Sequence, residues 1–204
     1  MDAIRDRIID TSLDLFALEG CRRITMDQIA NDVHISKRTL YQHFASKEVL
    51  LDACLSIFLK KIDEERKLIT HNTKDPVMLA LAMNQHHAEF CKKYSRLMRD
   101  TENYYPEIFK KHFSYTMDEV IAKIEQWLND AAGKGLIRPH VNLKVAANTI
   151  VYFTELIRKR HDLEIELQNE INREFIFTYM RGLLSEESII RYSKKEASFH
   201  DIVK

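Results

Sequence analysis

A short stretch near the N-terminus concentrates side chains that bind phosphate groups and base edges. They donate hydrogen bonds from cationic, hydroxyl, amide or imidazole groups: Thr25, Lys37, Arg38, Thr39, Tyr41, Gln42, His43 and Lys47. Such groups bind phosphate oxygens, and Lys or Arg also donates to the O6 and N7 atoms of guanine. These residue types at this spacing therefore indicate binding to double-stranded DNA rather than catalysis.

The charge of the chain limits how such binding could work. The sequence contains 31 Lys and Arg against 31 Asp and Glu, so its formal net charge is zero. Residues 21–47 differ from this average, since five basic residues and two acidic ones give them a net charge of +3. Binding through bulk charge is excluded, and a local site of defined shape is favoured.

Helical periodicity and capping residues place this stretch on two short helices after a longer one. The apolar stripe that starts at Ile4 stops at Gly20, a typical residue after a helix end. Thr25 and Gln28 have the spacing of a capping box, and Ser36 is positioned to cap the next helix. Only His34 and Ile35 remain between the two short helices, which is typical of a helix-turn-helix.

Three residues specify how these short helices would pack. Ala30 is small enough to let the third helix cross closely, and Leu40 lies ten residues later to pack beneath it. His34 occupies a turn position that requires left-handed backbone, which glycine adopts best and His tolerates. We therefore expect Lys37 and Arg38 to begin the helix that enters the major groove. Thr25 and Lys47, at helix N-termini, would position phosphates.

The rest of the sequence also predicts helix. Four Gly and three Pro are too few for a fold with many tight turns. We predict that residues 145–157 form a helix covered on several sides, because they leave almost no polar face. Residues 185–204 are predicted to be a polar tail containing Phe199. The other predicted helices span residues 46–70, 76–104, 107–133 as one helix, and 163–184.

Three segments carry a family resemblance: residues 24–30 (ITMDQIA), 35–44 (ISKRTLYQHF) and 46–50 (SKEVL). Together they resemble the tetracycline-repressor (TetR) family of bacterial regulators over residues 4–55. His34 and Arg38 stand where glycine is frequent in that family, and we expect Arg38 to add a DNA contact.

The resemblance implies an all-α fold with two functional domains. Residues 1–46 would form a three-helix helix-turn-helix domain that binds DNA, together with the start of the linking helix to about residue 55. Residues 47–204 would form a helical domain for effector binding and dimerisation. The last two long helices would build the homodimer interface, so that two recognition helices bind a palindromic operator. A small-molecule effector would release this repressor from DNA.

Aromatic and polar residues of the second domain are candidates for the effector pocket. They combine apolar surface with a few hydroxyl and imidazole groups: Met83, His87, Phe90, Tyr94, Phe109, Phe113, Met117 and Tyr152. Two interpretations stay open for each of them, a pocket lining and a packed core.

Two other function classes are weighed against the regulator. The first is an architectural or division-linked DNA-binding protein of the same fold without a ligand sensor. The second is a helical enzyme that uses His87, Tyr94 or Glu155, but no nucleophile elbow or phosphate loop supports it. We expect no enzymatic activity and no cofactor. We also expect no metal site, because the histidines lack ligand spacing.

Cysteine usage and hydropathy suggest where the protein acts. Cys21, Cys54 and Cys91 are odd in number and widely spaced, which disfavours a disulfide framework. The charged N-terminus lacks the apolar core of a signal peptide, and no apolar run is long enough to span a bilayer. We therefore expect a cytoplasmic, nucleoid-associated protein without a membrane partner.

Overall fold

The computed structural model describes residues 3–113, 117–160 and 162–193. Within these ranges every regular element is a helix, and one isolated antiparallel bridge joins Ile137 to Leu184. The all-α prediction is confirmed. The helices are α1 (Ala3–Glu19), α2 (Met26–Asp32), α3 (Lys37–His43), α4 (Lys47–Asn72), α5 (Pro76–Tyr104), α6 (Pro106–His112), α7 (Met117–Gly133), α8 (Leu143–Arg158), α9 (Ile165–Leu183) and α10 (Glu186–Ser193).

Local sequence signals set the ends of the first helices. Helix α1 stops where Gly20 adopts a left-handed φ of 86°, and its N–H still donates to the Phe16 carbonyl. Thr25 starts α2 through a reciprocal capping box. Its hydroxyl accepts the Gln28 N–H at 3.2 Å, and its own N–H donates to the Gln28 side chain at 2.8 Å. The predicted caps are therefore present.

A tight turn joins α2 to α3. His34 has a φ of 57°, and it is the one non-glycine residue with positive φ in the described chain. The Ile35 N–H then donates to the Ala30 carbonyl at 3.0 Å, which closes the turn. Ser36 caps α3 by accepting the Thr39 N–H at 3.0 Å. The left-handed backbone expected at His34 thus reverses the chain between the two short helices.

The described residues form two compact units. Unit 1 comprises the described residues within 1–67 and 90–114, and unit 2 those within 68–89 and 115–204. In unit 1, Phe16, Leu40 and Phe44 are fully or almost fully buried in a core that joins α1 to α4 with part of α5. The predicted boundary at residue 46 divides the chain by function, into a DNA-binding and an effector-binding domain, whereas the two units are defined by packing. The functional boundary therefore stays a prediction.

The core of unit 2 combines α7, α8 and α9 with the start of α5. Phe153 and Phe175 stack with ring centroids 3.8 Å apart. Asp75 caps α5 by accepting the N–H groups of Val77 and Met78 at 3.0 and 3.2 Å. The Asp75 carboxylate also accepts the Tyr192 hydroxyl at 2.6 Å, which ties α10 to the beginning of α5.

Three expectations differ from the structure: the length of one helix, the nature of the C-terminal segment and the burial of α8. A single helix was expected over residues 107–133, but α6 ends at His112, and the next residue, Phe113, has a non-helical φ of −118° and ψ of 30°. Part of the expected polar tail is helix α10, and Phe199 lies outside the described residues. Helix α8 was expected to be covered on several sides, yet Tyr152 and Leu156 are more than half exposed in the chain.

The turn at His34 makes a prediction for stability. A Cβ atom in left-handed backbone costs about 1 kcal/mol relative to glycine. We expect His34→Gly to be more stable than His34→Ala by about 1 kcal/mol, because both variants lose the imidazole and differ only at Cβ. Urea unfolding of the two variants measures this difference. Equal stability, or a more stable alanine variant, would contradict the assigned turn.

Candidate DNA-binding surface

Helix α3 presents most of its side chains to solvent. Over its seven residues only Leu40 is buried, and Phe44 directly after it is buried as well. Lys37, Arg38 and three residues of the second turn lie on the remaining faces. The structure therefore brings together on one short helix six of the eight predicted DNA-binding residues. Thr39 and His43 are partly buried, and the other four are exposed: Lys37, Arg38, Tyr41 and Gln42.

The predicted hydroxyl residues are held by capping interactions. The Thr25 hydroxyl is part of the capping box of α2. Thr39 shares a hydrogen bond with the Ser36 hydroxyl, with the two oxygens 2.8 Å apart. Both hydroxyls therefore have fixed positions next to the first turns of α2 and α3. Their expected contacts with phosphate stay predictions.

An ion pair links the start of α3 to α2. The Lys37 ammonium lies 2.7 Å from a carboxylate oxygen of Asp27, and the two side chains are 59% and 60% exposed. The hydrogen bond from Lys37 to Asp27 raises the pKa of the ammonium, so the cation is preserved. An exposed pair of this kind is weak and breaks at little cost when a stronger anion approaches. Asp27 therefore moderates the charge that α3 presents.

Lys47 has a more confined position than the other cations of the surface. Its ammonium donates to the Arg22 carbonyl at 3.1 Å, in the loop between α1 and α2. Partial burial lowers the pKa of Lys47 from its usual value. Lys47 was predicted only as a phosphate contact, and the structure adds that it secures a neighbouring loop.

Long-range contacts that the sequence does not reveal support the same surface. The Arg7 guanidinium donates to the Val33 carbonyl at 3.0 Å and so fixes the end of α2. The Arg5 guanidinium lies over the Phe44 ring, 5.2 Å from its centroid. Arg5 and Arg7 belong to α1, in which charged and apolar residues alternate, and this local pattern predicts only that their side chains are exposed. No spacing signal pairs them with residues more than twenty positions away.

The candidate effector-binding residues divide between the two units. In unit 1, Phe90 and Tyr94 pack with Phe58, at centroid distances of 5.6 and 4.2 Å from its ring. Phe109 and Phe113 contact each other at 4.9 Å. Unit 2 holds the remaining four candidates: Met83, His87, Met117 and Tyr152. Their role in binding an effector stays a prediction.

Unit 2 also carries an open, mainly apolar groove on α8. Its floor is formed by side chains one turn apart on a single helix face, and Val145, Tyr152 and Leu156 are 57%, 55% and 60% exposed. Asn148 and Thr149 add a narrow polar border. Contiguous exposed apolar faces of this kind are typical of surfaces that bind other proteins or apolar ligands.

Two further properties concern the described residues only. Among them, no three His, Cys, Asp or Glu side chains are grouped so that they could hold a metal ion. No helix in the described ranges is both long and apolar enough to cross a membrane.

Comparison with known proteins identifies the family. The model of the bacterial regulatory proteins of the tetR family matches residues 8–54, from α1 into α4. Residues 8–54 belong to the TetR family. The match includes the turn at His34, the whole of α3 and Lys47, so the TetR resemblance of the sequence is confirmed.

Relatives with assigned names extend the TetR similarity beyond α4. The chain is 30% identical over 159 residues to the uncharacterized HTH-type transcriptional regulator YerO of Bacillus subtilis, and the match covers 74% of this chain and 55% of YerO. It is 27% identical over 150 residues to the repressor KstR2 of Mycobacterium tuberculosis, with 68% and 72% covered. The chain thus spans about half the length of the first of these relatives.

Solved structures share the TetR fold along nearly the whole chain. A transcriptional regulator from Cytophaga hutchinsonii superposes with a TM-score of 0.71 at 18% identity, covering 88% of this chain and 98% of that one. The structure of the ketosteroid transcriptional regulator KstR2 gives a TM-score of 0.62 at 20% identity, with 91% and 97% covered. These likenesses extend the TetR fold to the helices after α4.

The ion pair between Asp27 and Lys37 makes a prediction for DNA affinity. We expect Asp27→Asn to strengthen binding to a random-sequence duplex, because it removes an anion and releases Lys37 toward phosphate. The control is Asp32→Asn, which changes the same charge on the same helix. Fluorescence anisotropy at low salt should show a larger gain for Asp27→Asn, roughly threefold or more. Equal gains would mean that the pair itself has no effect.

Proposed function

We propose that this TetR-family chain is a DNA-binding regulator of transcription, and specifically a homodimeric repressor. The observation that carries the proposal is helix α3, which exposes Lys37, Arg38, Tyr41 and Gln42 directly after a rigid turn at His34. A short helix with one buried residue and several polar donors is suited to the major groove. KstR2, which the chain resembles over 68% of its length, is named a transcriptional repressor.

Each predicted contact has a defined task in this proposal. Lys37 and Arg38 lie in the first turn of α3 and donate to guanine edges or nearby phosphates. The other donors contact the backbone of the duplex and fix the register of α3 in the groove: Thr25, Thr39, Tyr41, Gln42, His43 and Lys47. Such a protein acts in the cytoplasm, at the nucleoid, and needs neither a cofactor nor catalytic groups.

The apolar face of α8 supports dimerisation. Val145, Tyr152 and Leu156 are each more than half exposed, and Leu167 on α9 is 45% exposed. We propose that a second copy of the chain covers this face through its own α8 and α9. A twofold dimer places two α3 helices at a fixed separation, so its operator is palindromic.

We further propose that a small molecule bound in the helical domain of residues 47–204 controls DNA binding. Two structural neighbours are described as a ketosteroid transcriptional regulator and a gamma-butyrolactone receptor. The aromatic and sulfur-containing candidates of this chain suit an apolar or amphipathic effector of that general kind. Effector binding would favour a dimer whose α3 helices no longer match the operator spacing, with a coupling free energy of about 1–3 kcal/mol.

DNA recognition is tested by selecting a duplex from a random library and measuring its affinity for variants. We expect Arg38→Ala and Lys37→Ala each to weaken binding to the selected duplex by about 1–3 kcal/mol, or roughly 5- to 150-fold. Lys60→Ala is the control, because Lys60 is an exposed cation on α4 away from α3. Unchanged affinity of both α3 variants would contradict the proposed function.

Dimerisation is tested by placing a charge on the α8 face. Leu156→Glu should convert the dimer to monomers, because burying an unpaired carboxylate costs on the order of 3 kcal/mol, about a hundredfold in dimer affinity. Leu68→Glu is a matched control, since Leu68 on α4 is also a leucine with 60% exposure. Sedimentation velocity should detect monomers for Leu156→Glu alone. A dimeric Leu156→Glu variant would place the interface elsewhere.

Effector control is tested with ketosteroids, gamma-butyrolactones and fatty acids as probes. A ligand at one hundred times its Kd stabilises the folded protein by about 2.7 kcal/mol and raises its melting temperature. The proposal expects at least one such ligand also to release the selected duplex. Stabilisation without release, or DNA binding that responds to none of the probes, would favour the architectural protein without a sensor.

A further inference from the structure

The loop between α1 and α2 is fastened to the last turns of α5, within unit 1. The Arg96 guanidinium donates to the Leu18 carbonyl at 2.9 Å, at the end of α1. One helical turn later, the Asp100 carboxylate accepts the Arg22 backbone N–H at 2.9 Å. Two successive turns of α5 therefore bind backbone groups on either side of Gly20.

Arg22 contacts its neighbours through both its side chain and its backbone. Its guanidinium lies over the Tyr104 ring, 4.3 Å from the centroid, and donates to the Tyr104 hydroxyl. Its N–H donates to Asp100, and its carbonyl accepts the Lys47 ammonium at 3.1 Å. A guanidinium stacked on an aromatic ring is stabilised by the negative face of that ring. Arg22 therefore lies against α5, although its charge forms part of the basic stretch in the sequence.

Gly20 is required for this close approach. A Cβ atom at Gly20 would lie 2.3 Å from a carboxylate oxygen of Asp100 and 3.1 Å from Cγ of Arg96, and the φ of 86° is itself left-handed. The next residue, Cys21, is fully buried, with its sulfur 3.7 Å from the Thr101 hydroxyl. Burial raises the pKa of the Cys21 thiol to about 11, so this contact is uncharged. The loop is thus packed tightly onto one face of α5.

The position of this loop sets the start of α2. Thr25, which caps α2, follows Arg22 by three residues, and Lys47 at the start of α4 bonds to the Arg22 carbonyl. A shift of Arg22 therefore displaces two helix N-termini that are proposed to contact phosphate. Helix α5, whose residues have no predicted DNA contact, is positioned to control both.

We propose that Arg22, Asp100 and Tyr104 are positioning residues for DNA binding, and that Arg22 acts through α5 rather than by contacting a phosphate. The contacts of Arg22 with Asp100 and Tyr104 hold the loop between α1 and α2, and with it the N-termini of α2 and α4, in the geometry that fits the duplex. This proposal rests on the proposed DNA-binding function. The positive charge among residues 21–47 suggests a phosphate contact for Arg22, whereas this proposal assigns Arg22 a positioning role.

The experiment compares Arg22→Ala, Tyr104→Ala and the double variant on the selected duplex across a range of salt concentrations. Each single variant should weaken binding roughly three- to tenfold, and the double variant should be no weaker than either, because both remove one interaction. The salt dependence should keep its slope, since no phosphate contact is lost. Arg23→Ala removes the same charge from the next residue and should weaken binding less.

Folding controls separate a local role from general destabilisation. Urea unfolding at several temperatures gives the free energy of unfolding of each variant. Affinities are compared at a temperature at which every variant is more than about 99% folded. Tyr104→Phe keeps the ring and removes only the hydroxyl, so it should show an intermediate loss of affinity. A variant that is fully folded and still shows the full loss supports positioning rather than stability.

The outcomes distinguish this proposal from the proposed function. If Arg22→Ala reduces the salt slope by about one and its effect adds to that of Tyr104→Ala, Arg22 contacts a phosphate and the proposal is overturned. The proposal is also overturned if Arg22→Ala and Tyr104→Ala both keep full affinity. In that case Arg38→Ala still weakens binding, and the DNA-binding function stands. If Arg38→Ala and Lys37→Ala also leave affinity unchanged, the DNA-binding function itself fails.

Discussion

The left-handed backbone at His34 is the constraint on which the helix-turn-helix depends. It reverses the chain within two residues, so that Leu40 is buried while the other faces of α3 point outward. The Ile35 N–H closes the turn on Ala30, whose small side chain permits the close crossing of α2 and α3. Because α3 buries so little, its position depends on this turn, the Ser36 cap and the fixed end of α2 at Val33.

Electrostatics refines what this surface does. A chain with no net charge still carries five cations among residues 21–47, but the structure assigns them different roles. Lys37 is paired with Asp27, Arg22 lies on Tyr104, and Lys47 bonds to a loop carbonyl. In the proposed complex with DNA, Arg38, which is exposed at the start of α3, is the cation best placed for base contact. A moderated surface of this kind favours recognition of a defined site over binding to any duplex.

Sequence reasoning succeeded where the signal is local. Gly20, the box formed by Thr25 and Gln28, and the turn at His34 each act within a few residues, so their types reveal their geometry. It failed where contacts join distant positions, such as Arg22 with Tyr104, because no spacing rule links residues 82 positions apart. The end of α6 at His112 was also missed, since the apolar spacing of Phe109 and Phe113 continues across it.

The exposed face of α8 shows the same limit. An almost wholly apolar segment around Tyr152 predicted burial on several sides, and within one chain part of that face is open. Periodicity reports that a surface will be covered, but it does not report which molecule covers it. In the proposed dimer a second copy covers the face and sets the distance between the two α3 helices.

The central claim is that two α3 helices enter the major groove of one operator. Guanine N7 faces the major groove, so methylation protection of the selected duplex tests the claim directly. The account predicts protected guanines in two half-sites related by twofold symmetry, with centres about 10 base pairs or a multiple of that apart. A bound duplex whose guanine N7 atoms remain fully reactive would contradict it.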